Sequence, residues 1–134
     1  MLDPTKPRPS PGPGELGVTF EQPDTRHALL VVEGEIDTLT AGSLERALTE
    51  LLDDTAEVLV IDLAAVTFLA SSGLAVLIRA AHQAGERRLR LVSTARAVRR
   101  PMEITGSDQL FDLYPDRAPQ RAHSSGESAA ARSG

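Results

Sequence analysis

Val58-Leu59-Val60-Ile61-Asp62-Leu63, followed by Thr67-Phe68-Leu69-Ala70-Ser71-Ser72-Gly73-Leu74-Ala75, is where the chain changes its period. The first run is continuous, apolar and rich in β-branched residues, which marks a central strand. After it, Leu74, Leu77, Ile78 and Ala81 recur at the spacing of one helix face. Gly85 then stands where a helix ends on a C′ glycine. The spacing thus predicts a buried strand, a short loop through Thr67-Phe68-Leu69, and an amphipathic helix. Two hydroxyls and a glycine lie at the loop-to-helix junction.

The same alternation continues in both directions. Upstream, Leu16-Gly17-Val18-Thr19-Phe20 alternates like a half-exposed strand, and Ala28-Leu29-Leu30-Val31-Val32 is continuous like a buried one. Glu33-Gly34-Glu35-Ile36-Asp37 closes that run. Thr38 and Thr40 are candidate N-caps for a helix with Leu44, Ala47, Leu48, Leu51 and Leu52 on its apolar face. Downstream, Arg88-Leu89-Arg90-Leu91-Val92 reads as a strand. Ser93 or Thr94 can cap a third helix carrying Ala97, Val98, Met102 and Ile104. Pro101 lies inside that helix and is expected to kink or split it. Gly106 ends it, and Leu110-Phe111-Asp112-Leu113-Tyr114 forms a last short strand.

The resulting order, β β α β α β α β, requires crossover connections. The first two strands can pair as an antiparallel hairpin through Pro23-Asp24. The expected fold is α/β: a mixed, mostly parallel sheet of about five strands with helices packed on it. Its core should contain Val31, Leu59, Ile61, Leu77, Ile78 and Leu91. Residues 1–13, with five prolines, and residues 117–134, small and polar, read as disordered tails around a folded unit at 14–116.

Composition removes several function classes. There is no cysteine, hence no disulfide framework, thiolate metal site or thiol nucleophile. No other metal-ligand spacing or Gly-rich phosphate loop occurs, so neither metal nor cofactor is expected. The net charge of −5 argues against whole-surface nucleic-acid binding. No apolar run reaches the ~20 residues of a membrane span, and Met1-Leu2-Asp3-Pro4 lacks a secretion signal. A cytoplasmic location is the expectation. Charge is segregated. Twelve acidic residues face two arginines between Glu15 and Asp62, whereas seven arginines face one acid between Arg79 and Arg100. These are either two solvated faces or an acidic half that meets a basic partner.

Ser71 and Ser72 have two readings. Each can cap the helix start, and each can carry a phosphate there, because helix N-termini tolerate negative charge. Glu35 and Asp37 read as an acid pair or as a strand end followed by a cap. Gly73 reads as close helix packing or as close approach of a partner. A serine hydrolase would need a histidine base near Ser71. His27, His82 and His123 are the only histidines, and Ala70-Ser71-Ser72-Gly73 lacks the first glycine of Gly-x-Ser-x-Gly. No catalytic residue is therefore assigned.

Four segments together resemble the STAS domain, and more narrowly the bacterial anti-sigma factor antagonists. They are Gly34-Glu35-Ile36-Asp37 after a strand, the strand ending Ile61-Asp62-Leu63, Phe68-Leu69-Ala70-Ser71-Ser72-Gly73-Leu74-Ala75-Val76-Leu77, and Ile104-Thr105-Gly106 before Leu110-Phe111. The resemblance spans residues 16–114. It implies a protein-binding switch that is not an enzyme. Its partner would be an anti-sigma factor that is a serine kinase of the histidine-kinase ATPase class. Binding frees a sigma factor, phosphorylation releases the antagonist, and a serine phosphatase resets it. The family's acceptor directly precedes a Ser/Thr-Gly-Leu triplet, here Ser72-Gly73-Leu74, which implies Ser71 as acceptor, with Ser72 the lesser candidate. The resemblance also implies partner contacts from Glu35, Asp37, Thr38, Ser72, Gly73 and Leu74. Ala70 stands where an aspartate is frequent. A STAS scaffold or sensing module outside sigma control is the alternative.

Overall fold

The computed structural model describes residues 11–12 and 14–117. The expectations for residues 1–10, 13 and 118–134 lie outside the described residues. Strands β1 (Leu16–Glu21) and β2 (His27–Ile36) form an antiparallel hairpin. Then follow α1 (Ala41–Leu52), β3 (Val58–Leu69), α2 (Ser71–Ala84), β4 (Arg90–Val92), α3 (Arg96–Thr105) and β5 (Asp112–Tyr114). Short 3-10 turns occupy Gly85–Arg87 and Ser107–Leu110. The five strands make one sheet in the order β1-β2-β3-β4-β5, with β2 to β5 parallel.

That strand order has a structural consequence. Each crossover steps one strand in the same direction, and right-handed crossovers then put every helix on the same face of the sheet. The main core is built accordingly. Leu30, Val32, Leu59, Ile61 and Leu91 of the strands pack with Leu44, Leu48, Leu77, Val98 and Met102 of the helices. The opposite face carries a smaller cluster of Leu29, Val58, Val60 and Val92. Of the expected core, Leu59, Ile61, Leu77 and Leu91 are buried. Val31 and Ile78 are only partly buried. Val31 points to the face without helices, and Ile78 sits on the flank of α2 and packs at the margin of the main core.

Three expectations about local structure need correction. The stretch Thr67-Phe68-Leu69 is not a loop; it is the end of β3, which runs for 12 residues. Two β-bulges carry it there, since β3 gains a residue on β2 between the pairs Val31↔Asp62 and Glu33↔Ala65, and again between Gly34↔Val66 and Glu35↔Phe68. The Asp62 carboxylate supports the first bulge by accepting from the Ala64 N–H at 2.9 Å. Bulges scramble the period-2 pattern, so the strand loses its sequence signature. Second, Arg88 and Leu89 precede β4 rather than opening it, and Leu110 lies in a 3-10 turn before β5. Third, α3 is unbroken across Pro101. Proline forfeits one helix hydrogen bond there, but Val98 and Met102 of the same helix are locked in the core.

Arg87 joins the elements at the far end of the helices. Its guanidinium donates to the carbonyls of Leu52 (2.8 Å), Asp54 (2.6 Å) and Ala56 (2.9 Å). These carbonyls sit just where α1 ends, with acceptors left unpaired by the helix. One side chain from the end of α2 therefore closes the end of α1.

Candidate functional site

The expected site residues meet at the C-terminal tips of β2 and β3. The strands are tied there by Ile36↔Leu69 pairing and by the Ala70 N–H, which donates to the Ile36 carbonyl at 2.8 Å. After Ile36 the chain turns sharply at Asp37. The Asp37 carboxylate accepts from the N–H groups of Leu39 (2.9 Å) and Thr40 (3.1 Å). Asp37 thus acts as the cap of this turn. Thr40 holds the N-cap position of α1, yet its hydroxyl points backward, donating to the Glu35 carbonyl at 2.8 Å and accepting from the Asp37 N–H at 2.9 Å. Thr38 is exposed and does not cap α1. Glu35 is exposed beside Phe68, its partner in the ladder.

The serines do not cap α2 either. Ala70 occupies the N-cap position, with no side-chain cap, and Ser71 is the first helical residue. Ser71 is exposed. Ser72 is half-buried, and its hydroxyl oxygen is inaccessible and without a partner. At α3 the N-cap position likewise falls to Ala95, beyond the expected Ser93 or Thr94, although Ser93 Oγ accepts from the Ala95 N–H at 3.3 Å.

Gly73 and Leu74, expected among the partner-contacting residues, are buried. A Cβ on Gly73 would overlap the Ile36 side chain and come within 3.0 Å of Leu69 Cδ1. Glycine is required here because α2 begins in close contact with the tips of β2 and β3. The packing reading of Gly73 is the one that its surroundings support.

No histidine accompanies Ser71 among the described residues. His27 opens β2 and pairs with Val58, at the other end of the 12-residue β3, roughly 35 Å away at the rise of a strand. Its Nδ1–H donates to Asp24 Oδ1 at 2.7 Å. That bond, with the backbone N–H of Arg26, holds the Asp24 carboxyl below its ordinary range. His82 is exposed near the C-terminal end of α2, and His123 lies outside the described residues. No group of three or more His, Cys, Asp or Glu side chains among the described residues could hold a metal. No helix there is long and apolar enough to cross a membrane.

The sequence pattern does not single out Leu39 and Phe68. Both are large, apolar and exposed, at 77% and 47%. Leu39 stands in the Asp37 turn and Phe68 at the tip of β3, so both lie at the Ser71 end of the molecule. A leucine inside a polar turn was the available signal for the first. The second is hidden by the bulge at Thr67.

A one-sided α/β sandwich with an exposed serine and two exposed apolar side chains at two strand tips has the form of a small interaction module. The STAS domain pattern matches residues 20–118, and the chain belongs to that family. It is 40% identical over 88 residues to the anti-sigma-F factor antagonist RsfB of Mycobacterium tuberculosis, covering 65% of this chain and 72% of RsfB. It is 32% identical over 100 residues to the anti-sigma-B factor antagonist of Listeria monocytogenes, covering 73% and 88%. The crystal structure of an anti-sigma factor antagonist from Mycobacterium paratuberculosis superimposes with a TM-score of 0.73 at 37% identity, covering 79% of this chain and 91% of that one.

Proposed function

We propose that this protein is a cytoplasmic anti-sigma factor antagonist, switched by phosphorylation of Ser71. In this reading it binds an anti-sigma factor that is an ATP-dependent serine kinase of the histidine-kinase ATPase class, and so frees a sigma factor. A serine phosphatase restores the binding form. The observation that carries the reading is the contrast at the strand tips. Ser71 is exposed on the first turn of α2, whereas the neighbouring Ser72 oxygen is buried. A kinase can reach the first hydroxyl and not the second. Similarity to RsfB and to the Listeria antagonist supports the identity of the partner class.

The physics of the switch is local. A phosphate brings roughly −1.5 to −2 charges at neutral pH. At a helix N-terminus the fold tolerates it, with a favourable dipole term of about 0.3–1 kcal/mol. An interface closed over Ser71 would have to bury that charge and accommodate its bulk. Phosphorylation therefore leaves the domain folded and blocks docking. Ala70 supplies no carboxylate beside the acceptor.

The test is calorimetric binding of wild type, Ser71→Ala and Ser71→Asp to purified anti-sigma kinases, with phosphate mapping after incubation with ATP. Ser71→Ala should bind like wild type and resist phosphorylation. Ser71→Asp should bind at least tenfold more weakly with an unchanged circular dichroism spectrum. Equal affinity of all three, or phosphate found only elsewhere, would remove Ser71 from the role. Absence of any anti-sigma binding would favour a STAS scaffold outside sigma control.

A further inference from the structure

We infer that Leu39 and Phe68 are the two anchors with which this chain grips its partner, and that the partner is an anti-sigma factor offering two apolar sockets within a basic rim. The inference rests on the function proposed above and gives that interface its energetic centre. Isolated exposed apolar side chains are common and carry no message. Here two of the five large exposed ones among the described residues fall at the same end of the molecule, on the tips that also present Ser71.

Both are held in place before any partner arrives. The Leu39 N–H is bonded to Asp37 Oδ1 at 2.9 Å, within a turn that Thr40 braces from below. Leu39 Cδ1 also stands 3.7 Å from where a Cβ on Gly14 would be, so the segment leading into β1 backs it. Phe68 is fixed by its ladder pairing with Glu35, and the bulge at Thr67 decides which way it faces. Without that extra residue, Phe68 would fall out of phase with Glu35. With the backbone fixed in advance, docking need not order the segments that carry these side chains, which favours them as hot spots.

The surroundings specify the partner's rim. Glu35 and Asp37 at the tips are acidic, and Glu15 shares a cleft with Glu35 and Thr67. Of the two arginines before β3 among the described residues, Arg26 pairs with Glu57 at 2.8 Å at the opposite end of the sheet, and Arg46 is drawn back onto the first turn of α1 by Ser43 at 3.3 Å. A complementary surface therefore places cations around two apolar sockets. The same arrangement explains how one phosphate can act. A bulky group added to Ser71, at the same end of the molecule as the anchors, would hold the partner off this surface whatever the charge of its rim.

Titration calorimetry of the full chain against each purified ATP-binding anti-sigma factor of its own organism tests the inference. The variants are Leu39→Ala, Phe68→Ala and, as a control, Ile104→Ala on α3, which is 71% exposed. Leu39→Ala and Phe68→Ala should each weaken binding at least tenfold while melting like wild type, and Ile104→Ala should leave affinity within twofold. Phe68→Tyr, which keeps the ring, should restore most of the affinity and guards against a folding defect. If wild type binds and both alanine variants bind equally well, the anchors are wrong and the proposed function stands. If wild type binds no anti-sigma factor, the proposed function falls and the anchors with it.

Discussion

Gly73 is the residue with the least freedom at the site. Its missing side chain lets α2 start against Ile36 and Leu69, and any Cβ would enter the Ile36 side chain. Gly73→Ala is expected to cost about 1–3 kcal/mol, the usual range for overpacking, and to shift Ser71 relative to Asp37. Chemical denaturation gives the first effect. Unchanged stability would mean that Ile36 has room to yield. The sequence singles out this position correctly, because Ser-Gly-Leu at a strand-to-helix junction is a local pattern. It cannot say which serine is exposed. That follows from the pitch of α2 and from Ala70, not Ser71, taking the N-cap position. Leu39 and Phe68 stay hidden for a related reason: their exposure depends on a side-chain turn and a bulge, which pattern reading does not register.

Elements were legible where their hydrophobic period was regular and unclear where it broke. α1, α2 and β2 appear as the spacing predicts, with β2 extended through Ile36. The pattern alone ends β3 near Leu63, because its two bulges break alternation beyond that point. The link between α1 and α2 is likewise invisible in sequence, since Arg87 looks like one arginine among seven. Its guanidinium serves three carbonyls at the end of α1. Arg87→Ala should therefore destabilise the domain by about 1–3 kcal/mol, the cost of orphaning partly buried acceptors. Arg87→Lys should recover only part of this, because an ammonium donates from a single centre and lacks the planar two-nitrogen fork that spans these carbonyls. A wild-type melting temperature for Arg87→Ala would show that water replaces it. The β1–β2 connection carries a pH signature. The Asp24 carboxyl is lowered by its bond to His27, so its contribution is present above the ordinary carboxylate range, near pH 4, and is lost as pH falls through the lower folded value. Stability of wild type minus Asp24→Asn should be positive at pH 6 and vanish toward pH 2. A difference independent of pH would contradict the role of the ionised form.

At the scale of the whole molecule, sequential strand order forces the three helices to one face, and the other face has to be finished differently. Part of that finish is Arg117. The chain leaves β5 at one edge of the sheet, yet the Arg117 Nε donates to Asp62 Oδ2 of β3 at 2.6 Å, and its Nη1 reaches Glu21 of β1 at 3.4 Å. The Asp62 side chain is only 8% exposed, so it depends on this partner and on the Ala64 N–H. A chain ending at Asp116 leaves that carboxylate half-served and should lose about 1–3 kcal/mol, toward the lower end because Arg117 is itself 38% exposed and screened by water. A chain ending at Arg117 lacks only a small, polar, proline- and serine-bearing segment. It should melt within about 0.5 kcal/mol of the full protein. Comparing the two truncations by urea unfolding separates the contributions. Equal stability of the two would mean that water serves Asp62 as well as arginine does. A loss already in the longer one would mean that residues 118–134 contribute to the fold, against their composition. The expected step between positions 116 and 117 would put the end of the folding unit one residue beyond the 14–116 unit that composition suggests, at the last side chain that closes the bare face of the sheet.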